Sequence, residues 1–598
     1  MPATPRQRTH IATRATPGAA LATNDTMSGA SGAGFDWAWY EAQLAPQERR
    51  RRGHYSTPPD LVARMLDWVG YAAGADLEQM TLLDPSCGSG NFLAAAAQTL
   101  IARGQALQWT PQRLLTALQA NLWGLESDPV ACTLAGLRLQ ALARQFASRK
   151  QFRFHVHQAD ALSLAAAPRF QVVVGNPPYL SSRKHDLHAY EQGYLSGGQR
   201  DAYLLFLEQA CRFVAPDGWL GLVLPDPVLA RANAADARRL LQDMFSIQRL
   251  LHLKGVFRAE VGTLVLIAQR VPGRRPASLI VPASRFDWRR APQEAAQPAH
   301  MFPIDIWKRQ PQAELRYLLG PQEAKLFERL AREMLAVPLG DLVTISRGEE
   351  MAQGAAGPLA ETERGDEYLP ALRGGLDVRP FRCHFAGVYL HRSQITKPLE
   401  RYRVPKLLVV KSTAQLCAAL DEGGYVAFQT LYLLHLKSDQ VLPEYLLALL
   451  NSRLLRGYLW LYHTAYKLVQ PQIEQEALAR VPLPLVSLAQ QREPAALAGQ
   501  LRACYQEYDW RKRSGKIGST IDVSLNGASP ASQPAQAGFV AQPPGAGALA
   551  GMACQNEAAW IQLQQRIRDL TARLDGVVAA LCGLTPAEQA LLERVSLR

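Results

Sequence analysis

Leu82-Leu83-Asp84-Pro85-Ser86-Cys87-Gly88-Ser89-Gly90-Asn91-Phe92-Leu93 decides how this chain folds. Two leucines and an acid end a short strand, a glycine-rich turn follows, and Asn91-Phe92-Leu93 opens a helix. The glycines let backbone approach a ligand closely and let the helix pack on a sheet. Asp84, at the strand end, can accept from an ammonium. The turn lacks both the G-x-G-x-x-G spacing of a dinucleotide site and the G-K-[ST] of a phosphate loop. Around it, residues 35–270 alternate strand-like runs with amphipathic stretches such as Phe92–Ala102 and Ala202–Val214. The runs are Thr81–Leu83, Leu122–Leu125, Phe152–His157, Phe170–Val174, Trp219–Leu224, Leu250–Leu253 and Thr263–Ala268. That rhythm predicts a doubly wound α/β sheet, whose ligands sit at the carboxyl ends of the strands.

Polar residues stand at those ends. Glu126, in Gly124-Leu125-Glu126-Ser127-Asp128-Pro129, can take both hydroxyls of a ribose. Asp160, before Ala161, can accept an adenine exocyclic amine. For any single acid, a helix cap or turn explains as much; four consecutive strand ends are not so explained. S-adenosylmethionine carries an amino acid, a ribose and an adenine, and so satisfies all three acids. The fourth end is Asn176-Pro177-Pro178-Tyr179, after Phe170–Gly175. This tetrapeptide suits methylation of an amino group whose lone pair is delocalised into a planar π-system. The Asn176 side-chain oxygen and the Pro177 carbonyl can each accept one N–H and localise that lone pair. Pro177 and Pro178 stiffen the backbone and remove competing donors, and Tyr179 offers a face for a stacked base.

Composition sets the frame. The chain has 598 residues, enough for two or more domains, with a net charge of +13 that suits a polyanionic partner. Its 8 cysteines are scattered without a C-x-x-C pair, which argues against zinc and disulfides and for a reducing, cytoplasmic setting. No apolar run reaches membrane-span length. Residues 1–34 read as a disordered extension, 35–275 as the sheet domain, 276–335 as a connecting segment and 336–490 as a mixed α+β domain. Beyond these, 491–513 reads as a helix, the Ser/Ala/Pro/Gly/Gln-rich 514–556 as a flexible linker, and 557–598 as a helical tail. In that tail Trp560, Leu563, Ile567, Leu570, Leu574 and Val577 form a coiled-coil-like stripe, with the Leu497/Leu501/Cys504/Tyr508 face as its expected partner.

On these motifs the chain resembles the gamma-class, TaqI-like amino-methyltransferases of DNA that act on adenine N6. Gly53-His54-Tyr55-Ser56-Thr57-Pro58-Pro59 resembles the family's motif X, implying that Thr57 and Pro58 cup the methionine end of the cofactor. Asp84 to Leu93 matches motif I, which brings Pro85, Cys87, Gly88 and Gly90 into the cofactor site and implies that Asp84 binds the ammonium. Glu126 matches motif II, Asp160 and Ala161 motif III, and Asn176 to Tyr179 catalytic motif IV, with Asn176 implied to border the cofactor site as well. Arg200-Asp201-Ala202-Tyr203 resembles motif V, placing Asp201 at the cofactor pocket. Phe257, in Gly255-Val256-Phe257-Arg258, falls where motif VIII puts an aromatic against the flipped base. Pro338–Val343, Ser346-Arg347-Gly348, Leu372–Gly375, Pro405–Val409 and Leu449–Ser452 resemble phrases of target-recognition domains.

The resemblance implies a site-specific, S-adenosylmethionine-dependent methyltransferase acting on adenine in double-stranded DNA by base flipping and direct displacement, without a metal. It also implies a restriction-modification or defence setting, with room for a separate endonuclease or defence subunit. Only about fifty residues precede motif X, too few for a nuclease domain. Arg49–Arg52, Arg183-Lys184, Lys406 and Lys411 are candidate phosphate contacts, and Arg347 and Arg373 candidate base readers. The rival substrates are RNA and a protein glutamine amide; a non-catalytic specificity protein on a relic methylase fold is the rival from another class.

Overall fold

The computed structural model describes residues 55–147, 152–164, 169–181, 187, 190, 193–195, 201–257, 261–271, 280–290, 300–303, 306–307, 310, 312–333, 336–350, 359–360, 365–469, 471–513 and 547–596. The extension 1–34, the basic run Arg49–Arg52, Gly53-His54, Arg183-Lys184, Arg200 and Arg258 lie outside them. The first domain is built on a nine-stranded sheet: β1 Leu82–Asp84, β2 Leu122–Glu126, β3 His155–Gln158, β4 Phe170–Gly175, β5 Val214–Pro225, β6 Phe245–Lys254, β7 Thr263–Arg270, β8 Ile280–Asp287 and β9 His300–Pro303. Their spatial order is β3-β2-β1-β4-β5-β7-β6-β8-β9. The first five run parallel, as a Rossmann-like methyltransferase sheet requires, and β7 inserts antiparallel between β5 and β6.

Burial explains which runs become central strands. Val172, Val173 and Val174 of β4 and Leu82 of β1 are completely buried, as expected for parallel strands covered on both faces. β3, with alternating histidines, is only half-buried and forms the sheet edge. Helices α1 Pro59–Trp68, α2 Asn91–Ala106, α3 Pro129–Ala143 and α4 Ala202–Phe213 cover the faces. The chain winds outward from β1 through β2 and β3, then returns to place β4 on the other side of β1. The switch point therefore lies between Asp84 and Asn176, where open α/β sheets bind ligands.

Two boundaries differ from expectation. The sheet does not end at 275: β8 joins β6 in parallel, burying Val281 and Ala283 in the core, and β9 pairs with β8. Inside the expected linker 514–556, a helix begins at Gly547; Ala548, Leu549, Ala550 and Ala553 are strong helix formers.

The second domain holds a four-stranded antiparallel sheet of β10 Val343–Arg347, β11 Lys406–Val410, β12 Ala418–Asp421 and β13 Leu431–Leu436, ordered β10-β13-β11-β12. After helix α5 Arg453–Tyr462, the chain closes with α6 Leu488–Arg513, α7 Gly547–Leu581 and α8 Pro586–Ser596. Helices α6 and α7 pack through the predicted faces. Leu497, Leu501, Ile567 and Leu574 are buried, and the Tyr508 and Trp560 rings lie 4.4 Å apart.

Lys406 is not a surface contact. Its side chain is wholly buried, 2.5 Å from the Asp421 carboxylate, and donates to the Tyr402 carbonyl at 2.6 Å. Strand β11 faces inward along its length, so the basic head group is satisfied internally. Lys406→Ala is expected to lower stability by about 3–5 kcal/mol, because it leaves Asp421 buried without its counter-ion. Denaturant titration checks this; an unchanged midpoint with weakened DNA binding would return Lys406 to the phosphate contacts. Arg373 is likewise engaged, bridging both oxygens of Asp377 at 3.0 and 3.2 Å. Arg347 ends β10 and is exposed. Lys411 is half-buried, its ammonium pushed down by burial and by the neighbouring Arg347 and Lys467.

Candidate functional site

The polar strand ends line up along one edge of the sheet in the spatial order Asp160, Glu126, Asp84, Asn176. The glycine turn joins two of them. Gly88 donates its N–H to Glu126 Oε2 at 2.8 Å, while Oε1 accepts from Asp128 N at 2.8 Å. Gly88 has φ +53° and a Cβ there would meet nothing within 4 Å, so open space lies beside the turn. Gly90, at φ +87°, would bring a Cβ within 3.1 Å of the Ala135 Cβ on α3; this glycine is needed for helix packing. Pro85 is buried beneath the turn.

Asp84 is buried and accepts Ser86 N–H at 3.1 Å. Burial, partly offset by that hydrogen bond and reinforced by the Glu126 charge, pushes its carboxyl up to about 8. A cationic partner would remove that penalty. A Cβ on Gly175 would come within 2.8 Å of Asp84 Oδ1, so β4 can lie beside this carboxylate only as glycine. Cys87 is buried, and burial with the Asp84 and Glu126 charges pushes its thiol well up; it is a wall, not a nucleophile. Asp160 is half-buried and locally engaged, accepting from Leu162 N at 3.0 Å, Ser163 Oγ at 2.7 Å and the Tyr190 hydroxyl. Ala161 is buried behind it.

At Asn176 the amide orientation is set. Nδ2 donates to the Tyr55 carbonyl at 2.8 Å, and the opposite atom, Oδ1, is buried with no hydrogen-bond partner among the described residues. A buried acceptor in that state is costly unless a ligand donor meets it. Pro177 and Pro178 carry the chain out to Tyr179. The Tyr179 ring meets Phe257 edge-on at 6.3 Å and Tyr203 edge-on at 6.5 Å, while Tyr55 lies 5.9 Å from Phe257. Residues far apart in sequence thus form one aromatic cage. Asp201 is buried at the start of α4; it pairs with Arg231 at 3.4 Å, has no partner for Oδ1 among the described residues, and bridges by backbone to Ser181.

Thr57 is buried and Pro58 precedes α1. What holds this strap was not legible in the sequence. Asn91 donates Nδ2 to Ser56 Oγ at 2.5 Å and to the Thr57 carbonyl at 3.2 Å, and its Oδ1 accepts from Arg138 of α3 at 2.6 Å. Asn91 is a weak helix former standing at a helix start, which is the one signal it carries; the Tyr55 carbonyl carries none. Among the described residues no group of three or more His, Cys, Asp or Glu is placed to hold a metal ion, and no helix is long and apolar enough to cross a membrane.

Residues 120–257 match the model of the Eco57I restriction-modification methylase, and residues 369–483 that of the TaqI-like C-terminal specificity domain. The first interval contains Glu126, Asp160, Asn176 to Tyr179, Asp201 and Phe257; Thr57 and Asp84 precede it. Type II methyltransferase M.BstVI of Geobacillus stearothermophilus is 29% identical over 231 residues, 36% of this chain and 40% of that protein. Type II methyltransferase M.XhoI of Xanthomonas vasicola is 28% identical over 211 residues, 34% and 39% of the two chains. The matches thus span about two fifths of these relatives' length. Among solved structures, the Type IIL restriction-modification enzyme MmeI in complex with DNA aligns over 93% of this chain and 80% of its own, with TM-score 0.51 at 11% identity. That likeness is one of fold.

Proposed function

We propose that this chain, an Eco57I-type methylase segment followed by a TaqI-like specificity domain, methylates adenine N6 in double-stranded DNA with S-adenosylmethionine as donor. One observation carries the reading: Asn176 Oδ1 is a buried, unpartnered acceptor whose amide is locked by Tyr55, beside an aromatic cage. An exocyclic amine has the donors this acceptor lacks. The residues also fit the cofactor: Asp84 calls for a cation, and Gly88, bonded to Glu126, leaves open space beside the turn. Thr57, Pro58, Asp84, Pro85, Cys87, Gly88, Gly90, Glu126, Asp160, Ala161 and Asp201 would line its site. Bound there, the cofactor supplies an already activated methyl group.

The protein's own work is then positional. An adenine inside the duplex cannot be attacked in line, so it must leave the stack. Tyr179 and Phe257 would receive its ring, while Asn176 Oδ1 and the Pro177 carbonyl accept the two amine hydrogens. Drawing those hydrogens out of the ring plane localises the lone pair toward the methyl group, and proximity does the rest. The names of the relatives support a restriction-modification setting; a separate nuclease subunit is compatible with it.

The test is methyl transfer from labelled S-adenosylmethionine to unmethylated genomic DNA, followed by nucleoside analysis. N6-methyladenine supports the reading; label in RNA or protein alone overturns it. Tyr179→Ala is expected to weaken binding of the extruded base by about 1–3 kcal/mol, and Phe257→Ala by less, since its ring is one of two that meet Tyr179 edge-on. Fluorescence of 2-aminopurine at the target position, once mapped, measures this; an unchanged signal in Tyr179→Ala removes the stacking role.

A further inference from the structure

Asp226 stands at the carboxyl end of β5, the strand beside β4, and is buried. Its Oδ2 accepts the N–H of Leu468 at 3.0 Å, 242 residues along the chain, and lies 3.5 Å from His252 Nε2. His252 Nδ1 is in turn 2.7 Å from the Tyr317 hydroxyl, and the Tyr317 ring meets Tyr466 edge-on at 5.7 Å. Arg316 donates to the Tyr462 carbonyl at 3.0 Å. The last residue of α5 and the residues that follow it, 462–468, are therefore fastened to the edge of the sheet that carries Asn176.

The other end of this connection is tied to the second domain. Ile473 donates its N–H to the Lys411 carbonyl, just past β11, at 2.8 Å, and its own carbonyl accepts from the Tyr432 hydroxyl of β13 at 3.0 Å. One short segment thus spans the two sheets, beside a cleft lined by Asp226, Arg231, His463, Lys467, Gln472 and Glu474. The seat of Asp226 is exact in space: a Cβ on Gly262 would fall 1.9 Å from its Oδ2. From behind, the buried Arg238 holds the turn by donating to the Val228 and Arg231 carbonyls, each at 2.9 Å. Asp226 is also near enough to Tyr179 that its charge adds to burial in raising that phenol.

We propose that Asp226 is a positioning residue that sets the recognition sheet on the catalytic sheet, its bond to Leu468 holding the specificity domain in the placement needed to present a base to Asn176 and Tyr179. A buried carboxylate spent on a single distant backbone N–H and a neutral histidine is poor value for stability alone; it is a specific way to fix a joint. The inference rests on the methyltransferase reading for its consequence, but the joint is tested without it.

The experiment compares the full chain with Asp226→Ala, Asp226→Asn and Gly262→Ala by hydrogen exchange, cofactor calorimetry and DNA methyl transfer. Asp226→Ala and Gly262→Ala are expected to speed exchange at Leu468 and its neighbours and to lower kcat/KM for DNA at least tenfold, with cofactor affinity unchanged. Asp226→Asn, whose amide oxygen still accepts from Leu468, should recover most of both. Wild-type exchange in Asp226→Ala, equal loss in the Ala and Asn variants, or a parallel loss of cofactor affinity overturns the proposal. Faster exchange in a protein whose wild type labels no DNA keeps the joint and removes the methyltransferase reading.

Discussion

Asn176→Ala lowers methyl transfer by about 100- to 1,000-fold, the usual cost of removing one preorganised polar group aimed at the reacting centre, and leaves cofactor affinity nearly unchanged. The reason is local. Oδ1 has no protein partner to lose, so its removal leaves no protein donor orphaned at that end. The Nδ2 bond to Tyr55 does disappear, and the strap at residues 55–57 then depends on Asn91. Asn176→Asp separates the two effects: it keeps an acceptor but sets a carboxylate against the Tyr55 carbonyl, so it should also be slow. Labelled transfer with nucleoside analysis gives the rate, and calorimetry the affinity. Wild-type rates in Asn176→Ala would remove Asn176 from the chemistry.

Asp84→Asn weakens cofactor binding by about 10- to 100-fold, the range of a lost charge-assisted hydrogen bond. At the same time it stabilises the cofactor-free protein at pH 8. The sign follows from the carboxyl being raised from 3.8 to about 8 by burial. The folded state binds the proton more tightly than the unfolded state, so this group's contribution is full below about pH 4 and is lost as pH rises to about 8. Wild-type thermal midpoints should therefore fall between pH 6 and pH 8 relative to those of Asp84→Asn, and added cofactor should restore them. Equal pH slopes in the two proteins would show that Asp84 ionises freely. The site would then owe its affinity to the glycine turn and Glu126.

Much of this was legible before any coordinates. Runs such as Val172-Val173-Val174 are apolar and β-branched at every position, which suits a strand covered on both faces better than a helix, so β4 was plain. The pairing of Leu497, Leu501 and Tyr508 with the Trp560 stripe was legible for a similar reason: two apolar faces on neighbouring helices have few other places to go. Lys406 was misjudged because a basic residue in a phrase of the recognition domain reads the same whether it faces solvent or a buried Asp421. The extension of the sheet to β8 and β9 was missed because Pro282, Ser284, Arg285 and Asp287 interrupt the apolar residues of the one and the other has only four residues, so neither reads locally as a strand.

Sequence by itself determined the candidate tetrapeptide Asn176 to Tyr179, the glycine turn and the presence of a polar residue after each of four strands, because these depend on side-chain chemistry and on spacing within one strand-turn-helix unit. Tertiary structure alone decided that Tyr55 locks Asn176, that Tyr203 joins Phe257 in meeting Tyr179, that Asn91 and Arg138 hold the strap, and that Asp226 reaches Leu468. Each of those relations joins residues distant in the chain, several through backbone carbonyls or N–H groups that every residue has. What distinguishes such groups is where folding places them.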